Sequence, residues 1–424
     1  MPTADPTPAT HRAVEAVEAV WRIEAARLIA GLARMVRDVG RAEDLAQDAL
    51  VAALEQWPAS GIPDNPGAWL MTIAKRRAVD GIRREIRLEQ KIAELGRTLE
   101  TAEEIDIDID IEEHVEDDVL RLMFTACHPV LTPPARAALT LKMLAGLRTE
   151  EIARAFLVPT PTMAQRIVRA KKALADARVP FEVPTGAELA PRLASVLGVL
   201  YLLFNEGYSA TAGPDLVRPA LCDEAMRLGR ILVALAPDEP EAHGLIALME
   251  LQASRLRART DAAGEIVTLL DQDRARWDQL LIRRGLAALD RTAVLGGGAG
   301  THAVQAAIAA CHARARTADE TDWGRIAALY AVLARVAPSP VIELNRAVAV
   351  SMADGPAAAL ELVDALVDEN ALARYHLLPA VRADLLVKLA RPDEARAEFE
   401  RAAGLTDNER ERDLLLSRAA ECVS

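Results

Sequence analysis

Two amphipathic segments separated by a proline turn constrain this chain more than any other feature. EEIARAF (Glu150 to Phe156) sets Ile152, Ala153 and Phe156 on one face at helical spacing. VPTPT (Val158 to Thr162) follows, and its two prolines exclude a continuous helix, so the chain turns there. Beyond the turn, Met163, Ile167, Ala170 and Leu174 form a second apolar stripe, while Gln165, Arg166, Arg169 and Lys172 lie on other faces. Thr160 or Thr162 is placed to cap this second helix, and Pro161 suits its first turn. A short helix, a tight turn and a basic second helix make a helix-turn-helix, whose second helix enters the DNA major groove N-terminus first. Thr160, Thr162 and the positive helix end suit phosphates; Gln165, Arg166, Arg169 and Lys172 suit base edges and backbone.

The rest of the chain is written in the same helical idiom. Half of its 424 residues are apolar, yet only 3% are aromatic, and Ala, Leu, Arg and Glu dominate. Such a composition predicts an all-α protein with a large core. A net charge of −13 argues at first against a nucleic-acid partner. Its distribution reverses that argument. Eleven acids and no Lys or Arg fall between Glu100 and Asp118; outside that run, residues 1–184 carry 24 basic against 18 acidic side chains. A second basic concentration spans Lys75 to Arg87, with six basic residues against two acids, and Trp69 precedes it. Such a helix can track a phosphate backbone, and an adjacent indole can support an unstacked base.

Punctuation divides the chain. A Pro/Thr tail precedes helical spacing from His11 to about Gln56, PASGIPDNP (Pro58 to Pro66) reads as a loop, and a third helix runs from about Gly67 to Leu88. The predicted organisation is a helical bundle over 11–88, a flexible acidic linker over 89–116, a helix-turn-helix domain over 117–180 and a long helical array over 185–424. IDIDIDI in the linker alternates like a strand, but like-charge repulsion favours an extended, solvated chain. The array carries a weak repeat: Ala383, Ala395, Phe399 and Ala402 hold its small and bulky positions in the last copy, and an upstream copy has Ala347, Ala359 and Val363 about 36 residues earlier. LGGGAG (Leu295 to Gly300) follows no strand and lacks Lys-Ser/Thr, so it reads as a flexible loop. The polar knot Asn205, Glu206 and Tyr208 interrupts an apolar stretch, either capping a helix end or lining a contact.

At RTEEIARAFLVPTPTMAQRIVRAKKAL (Arg148 to Leu174) the chain resembles region 4 of the sigma-70 family of bacterial RNA polymerase sigma factors, in its extracytoplasmic-function class. AEDLAQDALVAALEQW (Ala42 to Trp57) resembles region 2.2, and PGAWLMTIAKRRAVDGIRRE (Pro66 to Glu85) resembles regions 2.3 and 2.4. The resemblance implies that Asp44, Gln47 and Asp48 meet the β′ clamp helices of core RNA polymerase and that region 4 meets its β flap. It implies that Trp69, Lys75, Arg76, Arg77, Asp80, Arg83 and Arg84 open and read the promoter −10 element, and that the Thr160 to Lys172 segment reads −35. Leu157, Pro159 and Pro161 depart from the family's usual turn, and Arg76 stands where many relatives carry Asn, so the promoter sequence is not transferable.

Beyond region 4 the chain adds about 240 residues, resembling the subgroup with a C-terminal tetratricopeptide-like extension. That resemblance implies control by the extension through an intramolecular contact, in place of a membrane-bound anti-sigma partner. Two rival readings are a helix-turn-helix regulator with a helical-repeat sensor and a helical-repeat scaffold without a DNA role. Enzyme readings are poor: no HExxH or GxSxG occurs, and Cys127-His128 and Cys311-His312 are adjacent pairs where a metal needs three or four converging ligands. No cofactor and no catalytic residue is expected. Four dispersed cysteines without CxxC, an N-terminus without an apolar h-region, and a longest apolar run (Leu193 to Phe204) too short for a bilayer predict a cytoplasmic protein with structural thiols and no membrane partner.

Overall fold

Asp38 starts the architecture with a capped turn. It accepts a hydrogen bond from the Arg41 N–H (2.9 Å) and opens α2 (Val39–Ser60), while Arg37 takes a left-handed φ of 53° to leave α1 (Pro8–Val36). In this computed structural model the described residues are 8–94 and 115–422, apart from residues 157, 211, 214–215, 262–263 and 370–371. The acidic linker with its IDIDIDI alternation lies outside them. Among the described residues the structure is all-α, with 18 α-helices and one pair of two-residue strands.

Two units emerge, divided at Val199. The first begins with α1, α2 and α3 (Pro66–Glu94), which pack on one another. α2 meets its neighbours through a stripe of small residues, Ala42, Ala46, Ala49 and Ala53, and ends on the buried Trp57. Small side chains at three- and four-residue spacing let helix axes approach closely. α3 answers with Leu70, Ala74 and Ala78. Pro58, expected in a loop, belongs to the last turn of α2; the loop is only 61–65, and Gly61 ends the helix at φ 82° by donating its N–H to the Trp57 carbonyl (3.0 Å).

The second block of this unit comprises α4 (Val115–Ala126), α5 (Pro133–Met143), α6 (Thr149–Ala155) and α7 (Thr160–Asp176). It packs directly on the first. α4 lies against α1, and the Trp21 indole donates to the Gly146 carbonyl (3.0 Å) at the turn between α5 and α6. Gly146 has φ 64°, and a Cβ there would stand 3.1 Å from that of Ala25, so both backbone and space require glycine. The start of α8 (Leu189–Tyr208) closes the unit: Arg192 donates to the Phe124 carbonyl (3.0 Å), and Ser195 bridges Arg136 to the Cys127 carbonyl.

The second unit continues with ten helices. They are α9 (Pro219–Leu235), α10 (Pro240–Ala253), α11 (Gln279–Val294), α12 (Thr301–Arg314), α13 (Trp323–Val336), α14 (Pro340–Ala353), α15 (Pro356–Asp368), α16 (Leu377–Lys388), α17 (Pro392–Ala403) and α18 (Glu409–Glu421). Successive helices pack pairwise along most of the array. The small and bulky positions read from the repeat, Ala347, Ala359, Val363, Ala383, Ala395, Phe399 and Ala402, are all buried between them. The unit's ends meet: Ala212–Gly213 pairs in parallel with Asp407–Asn408, and the Asn408 amide donates to the Ala210 carbonyl (3.1 Å).

Two expectations change here, and one reading left open is decided. The glycine loop is packed, not free: Cβ atoms at Gly297 and Gly300 would fall 2.1 Å from Pro240 and 2.0 Å from Glu241. Glu241 accepts from the backbone N–H of His302 (3.0 Å), serving the start of α12. The polar knot is likewise structural. Glu206 pairs with Arg218, and Tyr208 lies under the guanidiniums of Arg259 (4.0 Å) and Arg255 (5.5 Å), while Asn205 is exposed. Finally, the apolar run sits in a helix, Gly186–Tyr208, that is long and apolar enough to cross a membrane. It buries Val196, Val199, Leu200, Leu203 and Phe204 against protein.

Candidate nucleic-acid and polymerase interface

The helix-turn-helix follows from where each apolar residue goes. Met163, Ile167, Ala170 and Leu174 of α7 are all buried, as are Ile152 and Ala153 of α6. With that stripe fixed, Thr160, Thr162, Gln165, Arg169 and Lys172 are exposed and Arg166 is half-buried. The threonines do not cap the helix. Pro159 stands at the cap position, its carbonyl accepting from the Met163 N–H (3.1 Å), and no side chain caps the end. Pro161 brings no N–H to the first turn, and the exposed Thr160 and Thr162 leave theirs to water in place of a side-chain cap. α6 is fixed in its turn by Glu151, which accepts from the Arg148 N–H (2.8 Å) and pairs with Arg22 of α1 (2.9 Å). Burial pushes the Glu151 carboxyl up, but the Arg148 N–H and the Arg148 and Arg22 charges outweigh it and hold it below its ordinary value.

The basic helix α3 starts at Asn65, whose side chain accepts from the Ala68 N–H (3.0 Å). Leu70, Ala74 and Ala78 point inward, leaving Arg76, Arg77, Asp80, Arg83 and Arg84 exposed and Lys75 half-buried. Trp69 is half-buried, its ring edge-on to Trp57 at 5.4 Å. It is therefore both a wall of the core and a surface group. Ile62, in the preceding loop, is 47% exposed, an apolar side chain held out beside this helix's start.

The predicted polymerase contacts sit on α2, and here the structure adds partners that the sequence did not suggest. Gln47 donates to Glu43, and Asp48 pairs with Arg77 of α3 (3.3 Å). Asp44 accepts from Lys171 of α7 (2.9 Å). Lys171 also pairs with Glu43, which is 1% exposed and lies 3.6 Å from Lys142 of α5. Burial draws the Lys171 ammonium down, but Glu43 and Asp44 more than offset it, and the group titrates above its ordinary value. So the unit ties α7 to α2 through one lysine. A signal for this was present: residue 171 is four positions from Ile167 and three from Leu174, on the edge of the buried stripe.

The four cysteines are free thiols. Cys127 lies beside the Thr140 hydroxyl (3.3 Å), and burial pushes it up to about 11; Cys222 is pushed to about 12 by burial and by Asp223. Among the described residues no three His, Cys, Asp or Glu side chains converge.

An all-helical unit with two outward basic helices, one following a proline turn, has the form of a two-module helical DNA-binding protein. Comparison with known proteins narrows this. The model of sigma-70 region 2 matches residues 23–87, that of sigma-70 region 4 matches residues 121–174, and a family of unknown function (DUF6596) matches residues 192–293. An uncharacterized protein of Rhizobium meliloti (strain 1021), R00370, is 45% identical over 383 residues, 89% of each chain. The ECF RNA polymerase sigma factor SigK of Mycobacterium sp. (strain KMS) is 29% identical over 165 residues, 37% of this chain and 80% of that protein. The probable ECF RNA polymerase sigma factor SigI of Mycobacterium tuberculosis (strain CDC 1551 / Oshkosh) is 27% identical over 168 residues, 39% of this chain and 57% of that protein. The chain belongs to the sigma-70 family, in its extracytoplasmic-function class, and carries a C-terminal helical extension.

Proposed function

We propose that this chain is an alternative sigma factor that directs core RNA polymerase to specific promoters, with its C-terminal helical unit as the controlling element. The observation that carries the reading is the pairing of α3 and α7. Each buries one apolar stripe and turns arginines outward, and they fall in order within the segments that match sigma-70 regions 2 and 4. In this reading α3 follows the −10 strand backbone with Arg76, Arg77, Arg83 and Arg84, while Trp69 and the Ile62 loop flank the melted bases. The exposed start of α7 meets −35, with Gln165 and Arg169 toward base edges and Thr160, Thr162, Arg166 and Lys172 toward phosphates.

Asp44, Gln47 and Asp48 contact the β′ clamp helices, and the α5–α7 block contacts the β flap. Because Lys171 occupies Asp44, polymerase binding competes with the clasp between α2 and α7. The protein works in the cytoplasm beside polymerase, and polymerase supplies all chemistry. Control runs through contact between the sigma blocks and the C-terminal helices. The test is transcription in vitro from genomic fragments by sigma-free core polymerase, with the full chain and with a chain ending near Pro184. Starts that share a −35/−10 pair are expected, and truncation changes their yield. No specific starts from either form, with no retention on core polymerase, would sink the reading.

A further inference from the structure

The C-terminal unit holds a cavity of about 190 Å³. Trp277, Trp323 and Tyr330 form its walls, a concentration of rings in a chain that is 3% aromatic. Arg255, His312 and Asn345 supply its polar edge. These residues come from separate elements: the turn after α10, a short turn ending at Trp277, and α12, α13 and α14. His312 meets Trp323 edge-on at 5.2 Å, which fixes one side of the space.

Arg255 is the arginine that lines the cavity, with Arg259 and Arg274 nearby in the chain. Arg255, Arg259 and Arg274 form no ion pair with a carboxylate among the described residues. Arg274 is committed to structure, donating to the His312 and Ala315 carbonyls (2.7 and 2.9 Å) and to Thr321. Arg259 donates to the Tyr208 carbonyl and stacks on its ring. Among the described residues Arg255 bonds only to Gln252 through its side chain, and it leans on Tyr208. In two residues that line the cavity a buried ring nitrogen has no hydrogen-bond partner among the described residues: the indole Nε1 of Trp277, a residue 4% exposed, and Nδ1 of His312. Burial and the charges of Arg255 and Arg274 push His312 down to about 3, so its ring is neutral at physiological pH. Buried polar groups normally find partners, and a half-buried guanidinium normally finds an anion.

We propose that this cavity binds a small monoanion with a flat apolar body, of the aromatic-carboxylate class, with Arg255 as anion partner and Trp277, Trp323 and Tyr330 holding the ring. Size supports one ring and a carboxylate, since an apolar cavity of about 150 Å³ admits benzene alone. A bare inorganic anion would leave the aromatic walls unused, and a long acyl chain exceeds the volume.

The site stands whether or not the chain serves polymerase, because binding is read directly. The experiment is calorimetric titration of the full chain with benzoate, phenylacetate, neutral benzamide and inorganic phosphate. Saturable one-site binding of a carboxylate is expected, about tenfold or more tighter than benzamide or phosphate. Arg255→Gln removes that preference and Arg255→Lys retains part of it. Should Arg255→Gln fold poorly, hydrogen exchange on the wild-type chain replaces it, with bound carboxylate slowing exchange in residues 251–258 and 308–330. The proposal is overturned by no saturable carboxylate binding below about 10 mM, by equal binding of benzamide, or by protection confined elsewhere.

Discussion

The buried Glu43 and the half-buried Lys171, 128 residues apart in the chain, form an ion pair that clasps α2 to α7. Lys142 approaches the same carboxylate, and Asp44 shares the same ammonium, so the clasp is a small network. Breaking one member of a buried pair costs more than removing both, because the survivor is left without a partner. Glu43→Gln and Lys171→Met are each expected to destabilise the first unit, and the double variant less than their sum. Urea unfolding in a double-mutant cycle should give a coupling of about 1–3 kcal/mol. A coupling near zero would mean that the pair contributes nothing to closure. Because Lys171 titrates above its ordinary value, this contribution is complete below the unfolded lysine pKa and is lost only as pH rises through the folded one.

The same lysine pairs with a proposed polymerase contact, the exposed Asp44. Lys171→Met should strengthen binding to core polymerase several-fold by releasing Asp44, whereas Asp44→Ala should weaken it. Fluorescence anisotropy with labelled protein separates the two. Weaker binding by Lys171→Met would argue that the lysine is itself a polymerase contact.

On the proposed −35 face, Gln165 and Arg169 are exposed and Arg166 is half-buried. Replacing a residue that reads a base edge with Ala should cost about 1–3 kcal/mol at one promoter position, whereas loss of a phosphate contact lowers affinity across all sequences and reduces the salt slope by about one. Binding isotherms on a promoter set at several salt concentrations assign each residue. Unchanged isotherms for Arg166→Ala and Arg169→Ala together would remove this helix from DNA recognition.

Trp57 and Trp69 touch but carry different loads. Trp57 is 2% exposed, and Trp57→Ala should cost about 3–5 kcal/mol of stability. Trp69 is half-buried, so Trp69→Ala should cost less in unfolding while reducing promoter opening, read as permanganate reactivity of unpaired thymines. Full stability loss with normal opening would make Trp69 purely a core residue.

Burial should also govern thiol chemistry. Cys127, Cys222 and Cys311 are buried and their thiols are pushed up, while Cys422 is only half-buried. Iodoacetamide at pH 8 should label Cys422 alone in the native chain, and all four after unfolding, as read by peptide mass spectrometry. Rapid labelling of Cys127 would contradict the packing of α4 on α5.

Helical period is a local property, and it was readable wherever one apolar stripe met one basic face. Met163, Ile167, Ala170 and Leu174 had to face inward, and that alone turned Gln165 and Arg169 outward. The order of the two basic helices and the all-α class were legible for the same reason. Which surface each stripe meets is not local. The extra helical turn at Pro58, the cap left to Pro159, and the glycines pressed on Pro240 and Glu241 depend on neighbours that no short spacing names. So does the clasp of Lys171 on Glu43, and so does a cavity assembled from residues between 251 and 349. Periodicity says which face of a helix leaves water; only the tertiary packing decides which distant side chain receives it, because that choice rests on shape and charge summed across elements far apart in the chain.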